Sequence, residues 1–140
     1  MTSIETAGRE LAPGFTRIAL DDVTDAAPGL GLADSGIEIR FAQRELGAEE
    51  TGVTFHRLAP GVRQPFGHRH NLAEEVYVVV SGSGRMKLDD EIVELAPLVA
   101  IRVAPPVTRS FEAGPDGLEL VVAGARHDGD GELVHGFWSE

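Results

Sequence analysis

The chain has 140 residues and a mass of 14.9 kDa, which suits one domain and leaves no room for two cores of ordinary size. Its 42% apolar content is too high for a disordered chain, and acidic residues outnumber basic ones 23 to 12, a formal charge of −11 that disfavours nucleic acid and anionic membrane as partners. With no cysteine, disulfides, thiol nucleophiles and Cys-based zinc sites are excluded, so any metal must be held by the five His and the carboxylates.

Residues 1–50 differ in texture from the remainder of the chain. They open MTSIETAGRE, with no basic start and no apolar core of a leader, and no stretch approaches the roughly 20 apolar residues that span a bilayer. A cytoplasmic protein is expected. Short extended candidates lie at Thr16–Leu20 and Ile37–Phe41, and a helical turn near Phe41–Leu46 is closed by Gly47. These 50 residues read as an N-terminal arm or edge layer, and residues 51–140 as a barrel within a single domain.

From Thr51 onward, short apolar runs alternate with turn residues every 8–12 positions, the pattern of an all-β unit. The runs are Val53–Leu58, Glu75–Val80, Arg85–Leu88, Ile92–Leu95, Val99–Val103, Val107–Phe111 and Leu118–Ala123. Ser81-Gly82-Ser83-Gly84 is a hairpin candidate, Asp89-Asp90 a second turn and Ala113–Gly117 a third. Seven short strands in so few residues must close on themselves to protect their edges, so a small barrel or jelly roll is predicted. The open sheet edge of such a barrel, with an arm free to cross, points to a homodimer.

Within this pattern, His68-Arg69-His70 carries the sharpest local chemistry. On a strand, residues i and i+2 share a face, so both imidazoles can converge on one point. Asn71-Leu72-Ala73 can form a loop that resets the count before Glu75. From there Glu75, Tyr77 and Val79 share one side and Val76, Val78 and Val80 the other, both largely apolar, so periodicity does not choose the core face. Two imidazoles and a carboxylate brought together would match the facial triad that binds Fe(II) and related ions; two exposed strand histidines are the alternative.

The stretch Gly61–Gly82 resembles the first motif of the cupins: glycine, His-x-His, three or four residues, Glu, six residues, glycine. Four residues separate His70 from Glu75 and six separate Glu75 from Gly82, so Glu75 rather than Glu74 stands at the ligand position. Six residues instead of five separate Gly61 from His68. The resemblance covers roughly Val53 to Ala123 and implies an all-β cupin barrel of the jelly-roll type. It also implies a divalent ion such as Fe, Mn, Ni or Zn on His68, His70 and Glu75.

The second cupin motif departs from its pattern. Leu98 and Val99 stand where Gly and Asp often follow the proline, here Pro97, and Arg109 takes the place of the fourth ligand, a histidine. No histidine lies between His70 and His127. Alternation through Val107–Phe111 turns Arg109 inward with Val107 and Phe111, and an inward guanidinium needs a carboxylate or a bound anion. Three placements stay open: pairing with Glu75 in a metal-free pocket, gripping a substrate carboxylate beside a three-ligand metal, or reaching the barrel mouth to meet a surface acid. Beside an ion, Arg109 would repel it unless an anion intervened.

His56 has neither face of its strand clearly apolar, and its orientation is undecided. His127 and His135 lie in a Gly- and Asp-rich tail and are expected in solvent. Phe137-Trp138 is expected to pin the C-terminus onto the barrel. The sequence therefore predicts a cupin-type pocket for a small anionic molecule, with metal on His68, His70 and Glu75. Arg109 would orient the ligand and Tyr77 would add a hydrogen bond. If catalytic, oxygenase or isomerase chemistry is the natural class. The alternative is a metal-free, non-enzymatic pocket in which Arg109 meets Glu75 or an anion.

Overall fold

A computed structural model describes residues 4–6, 9–12, 14–125 and 127–138, with side chains from residue 14 onward. Three short strands, β1 (Ile4–Thr6), β2 (Arg9–Ala12) and β3 (Phe15–Arg17), form an antiparallel meander of their own. The remaining strands make one antiparallel sheet that curls on itself: β4 (Ile37–Phe41), β5 (Thr51–Leu58), β6 (Phe66–His70), β7 (Glu75–Leu88), β8 (Glu91–Leu95), β9 (Ala100–Val103), β10 (Arg109–Ala125) and β11 (Gly131–His135). The order β11-β6-β10-β5-β4 forms one run, and β7 pairs with β10, β8 and β9. β10 is the hub: one edge carries β7, while the other carries β6 at Arg109 and β5 from Leu118 to Ala125.

The alternation of β7 resolves in favour of the Glu75 face. Tyr77 and Val79 are buried, whereas Val76, Val78 and Val80 are exposed on the outer surface. The core gathers Tyr77, Val79, Met86, Phe111, Leu118 and Leu120 with Leu58 from β5. It also takes in Ala27, Leu32, Ile37 and Ile39, so packing of the barrel begins well before residue 51. Asp25 ties this early segment down, its Oδ1 accepting from Ile39 N at 2.9 Å and Ala27 N at 3.0 Å. The helical turn is present as α1 (Gln43–Leu46), stopped by Gly47 in the left-handed region at φ 66°.

Two turn expectations are corrected. Ser81–Gly84 is not a hairpin, and Ala113–Gly117 does not end a strand; both lie inside the long strands β7 and β10. The pairing jumps from Ala113↔Gly84 to Leu118↔Gly82, so Gly114–Gly117 bulges out of β10 opposite the glycines. A Cβ at Gly82 or Gly84 would come within 2.1 Å of a carbonyl oxygen of β10. These glycines therefore serve a close backbone approach instead of a chain reversal. Asp89-Asp90 does form the β7–β8 turn, with Asp89 at φ 53°. No helix among the described residues is long and apolar enough to cross a membrane.

Candidate metal centre and cavity

β6 presents His68 and His70 to the same side, and the loop at Asn71–Glu74 resets the chain so that Glu75 faces them. Glu75 Oε1 is the meeting point. It lies 3.2 Å from His70 Nε2 and 3.5 Å from His68 Nε2, and the three side chains form the metal-competent cluster among the described residues. Ligand atoms about 2.1 Å from a shared ion, at octahedral or tetrahedral angles, lie about 3.0–3.5 Å apart, which is the spacing of each imidazole from Glu75 here. The donor set, two imidazoles and one carboxylate, suits Fe, Mn, Ni or Zn.

Both His70 ring nitrogens are buried and neither makes an aligned hydrogen bond. Burial pushes the His70 pKa down, which keeps a lone pair on the ring. Its Nδ1 side faces Asp130 Oδ2 at 3.3 Å. Asp130 is itself buried and accepts from the backbone N–H groups of Asn71, Leu72 and Ala73 at 2.8–2.9 Å. One carboxylate thus holds the loop after β6 by hydrogen bonds and stands beside the ring of His70, where supporting acids stand for metal-bound imidazoles. Pairing of β11 with β6, with Gly131 opposite His70, brings Asp130 there from sixty residues away.

Tyr77 is buried beside the cluster; its hydroxyl donates to Glu75 Oε1 at 2.9 Å and lies 3.4 Å from His68 Nε2. Burial alone pushes the Glu75 carboxyl up, but His68, His70 and the Tyr77 hydroxyl outweigh it and hold the pKa down at about 2. Glu75 is therefore ionised throughout the neutral range.

Arg109 points inward, and its side chain has 0% of its surface exposed. The placement at the barrel mouth is thereby corrected: alternation on β10 draws the guanidinium into the core. Nη1 donates to Glu75 Oε1 at 3.3 Å and Nη2 to Ala104 O at 2.9 Å. Its Nη1 thus shares Glu75 Oε1 with His68, His70 and Tyr77, so the charge of Arg109 is engaged at the cluster itself. A buried guanidinium without a carboxylate would be strongly destabilising, and Glu75 is that carboxylate.

The cluster opens into a cavity of about 400 Å³, walled by apolar side chains including Leu30, Ile39, Phe41 and Phe66, with His68, His70, Glu75 and Tyr77 on its polar side. His56 also lines it, on the inner face of β5, with only 7% of its surface exposed. Periodicity missed this because Phe55, on the opposite face, is equally buried. Asp130 carried no local signal at all, since its role arises from strand pairing. His127 and His135 are exposed, and Trp138 is buried at the end of the chain, donating from Nε1 to Ser110 Oγ at 2.9 Å.

No protein-family model matches the chain, and no curated protein matches it. Solved structures do. A cupin protein from Bacteroides fragilis aligns over 83% of this chain and 87% of its own, at 21% identity and a TM-score of 0.63. The polyketide cyclase RemF from Streptomyces resistomycificus covers 89% and 87% respectively, at 22% identity and a TM-score of 0.67. Streptomyces Pac13 with uridine covers 85% and 90%, at 19% identity and a TM-score of 0.64. Together with the curled antiparallel sheet, the likeness shows that the chain has the fold of a small cupin barrel.

Proposed function

We propose that this cupin binds a small molecule in the cavity beside one divalent ion held by His68, His70 and Glu75. The observation that carries the reading is the convergence of both histidine Nε2 atoms on Glu75 Oε1, with both ring nitrogens of His70 buried and without a hydrogen bond. Metal ligands must be neutral imidazoles and an ionised carboxylate, the states that burial at His70 and the neighbours of Glu75 favour. When bound, the ion would supply Lewis acidity or a site for activating oxygen, which suits isomerase or oxygenase chemistry.

The chain's own residues prepare the site. Asp130 stands beside His70 Nδ1, and Arg109 and Tyr77 fix Glu75 by donating to its Oε1. Tyr77 also lines the cavity and is placed to meet a ligand, with a pKa raised well above the usual tyrosine value by burial and by Glu75. It stays a neutral hydroxyl whose proton goes to Glu75 Oε1, which leaves its oxygen to accept a hydrogen bond from a ligand. Arg109 works through Glu75 and is a positioning residue. The anionic ligand expected from Arg109 thus loses its protein cation, and an anion would have to meet the metal itself. That RemF is a polyketide cyclase and Pac13 is seen with uridine supports a small organic ligand as the class. The sheet edge at β4 supports a homodimer.

The Arg109–Glu75 pair favours a second reading, a metal-free pocket in which the guanidinium replaces the fourth ligand. Elemental analysis after loading with Zn²⁺, Mn²⁺ or Fe²⁺ and dialysis separates the two. The first reading predicts about one ion per chain, lost in His68→Ala and His70→Ala. Trace metal, unchanged by those substitutions, would establish the second.

A further inference from the structure

His56 has no part in the metal cluster, yet it is held with unusual care. It sits on the inner face of β5, its ring edge-on to Phe111 with centroids 5.0 Å apart, and Phe111 is itself completely buried. Its Nδ1 is buried with no hydrogen-bond partner. A polar atom left so in a core is destabilising, and such exceptions call for an explanation. Burial, with His68 nearby, pushes the His56 pKa down to about 3, so the ring is neutral and offers one donor and one acceptor.

The rest of the cavity narrows what such a ring can meet. The acids lining it are Glu75 and Glu132, and the nearest core cation, Arg109, is already engaged by Glu75 and Ala104 O. Leu30, Ile39, Phe41, Phe66 and Leu133 supply apolar wall. A carboxylate or phosphate entering the metal-free cavity would meet oily surface and no unpaired cation on that wall, since Arg109 is engaged by Glu75 and Arg69 by Glu132. An uncharged body would meet neither penalty.

We infer that His56 is a ligand-binding residue, and that it recognises an uncharged, largely apolar molecule through a hydroxyl or N–H group. This rests on the cavity being the binding site proposed above, but not on the metal. The neutral ring satisfies the ligand's polar group, and the walls bury its hydrocarbon.

The test uses the full chain, stripped of metal with a chelator, and three fluorescent two-ring probes: 2-naphthol, naphthalene and 2-naphthoate. Wild type is expected to bind 2-naphthol about tenfold more tightly than either of the others, the ratio one hydrogen bond supports. In His56→Phe the advantage of naphthol over naphthalene should fall to about two- or threefold, with naphthalene binding kept. Because that variant alters a packed ring, the ¹⁵N shifts of the His56 imidazole in the unmodified chain provide a second readout. They should move with 2-naphthol and not with naphthalene. Naphthoate binding as tightly as naphthol, no binding of any probe, or unmoved His56 shifts would overturn the inference. Since metal is absent throughout, any of these would leave the ion on His68, His70 and Glu75 to stand or fall by elemental analysis.

Discussion

Replacing Arg109 with histidine probes the tension at the centre of this site. Arg109 Nη1 lies 3.3 Å from Glu75 Oε1. An ion bound to that oxygen at about 2.1 Å would be no more than about 5.4 Å from the guanidinium nitrogen. At an effective dielectric of 20, a double and a single charge at that separation repel by about 6 kcal/mol. Hydration and the Glu75 charge offset much of this, but a quarter of it already corresponds to about tenfold in affinity. Arg109→His removes the positive charge and places an imidazole at the fourth-ligand position. It should bind Zn²⁺ or Mn²⁺ at least about tenfold more tightly by calorimetry. The metal-free variant should melt earlier, because Glu75 loses its buried partner, and metal should restore more of its Tm than it does for wild type. Arg109→Met, which removes the charge and adds no ligand, isolates the repulsion and should also gain affinity. Equal or weaker metal binding in both folded variants would refute the electrostatic argument.

Three further outcomes are expected from the surrounding structure. Asp130→Asn weakens the support of His70 and the 71–73 loop together, and should lower metal affinity about 10- to 100-fold in a metal titration. Trp138→Ala removes a buried ring that donates to Ser110 Oγ and lies under Arg63 at 4.3 Å; urea unfolding should register a loss of about 3 kcal/mol or more. Asp25 resists burial, which raises its pKa, through hydrogen bonds from Ile39 N and Ala27 N, and the net shift is below its usual 3.8. The unfolded chain therefore binds the proton more readily, so the Asp25 contribution is present above pH 3.8 and is lost as pH falls through the lower folded value. Asp25→Asn should be less stable at neutral pH by about 1 kcal/mol, and the gap should close as pH drops below that point.

The parts of the molecule readable from sequence are those where a local rule suffices. His68 and His70 share a face because two residues of strand separate them, and Arg109 turns inward because its neighbours Val107 and Phe111 are apolar. The glycines at 82 and 84 misled because a glycine that permits a turn and one that permits backbone contact look alike in sequence. The early segment hid its share of the core because Ala27, Leu32, Ile37 and Ile39 reach it from a loop and a short strand, with no long periodic run. Asp130 and His56 needed the folded sheet: one is delivered by the β11–β6 pairing, and the other sits on a strand covered on both faces. The inward turn of Arg109 was legible, and pairing with Glu75 was one of its three open placements; the choice among them was not legible, since that contact joins β10 to the start of β7 across the core.

The most direct measurement is anomalous scattering from crystals of the wild-type chain grown with Mn²⁺ or Zn²⁺. The account predicts one peak per chain within ligand distance of His68 Nε2, His70 Nε2 and a Glu75 oxygen, with Asp130 still beside His70 Nδ1. Density with no peak between these side chains, and Glu75 still closed onto Arg109, would contradict it.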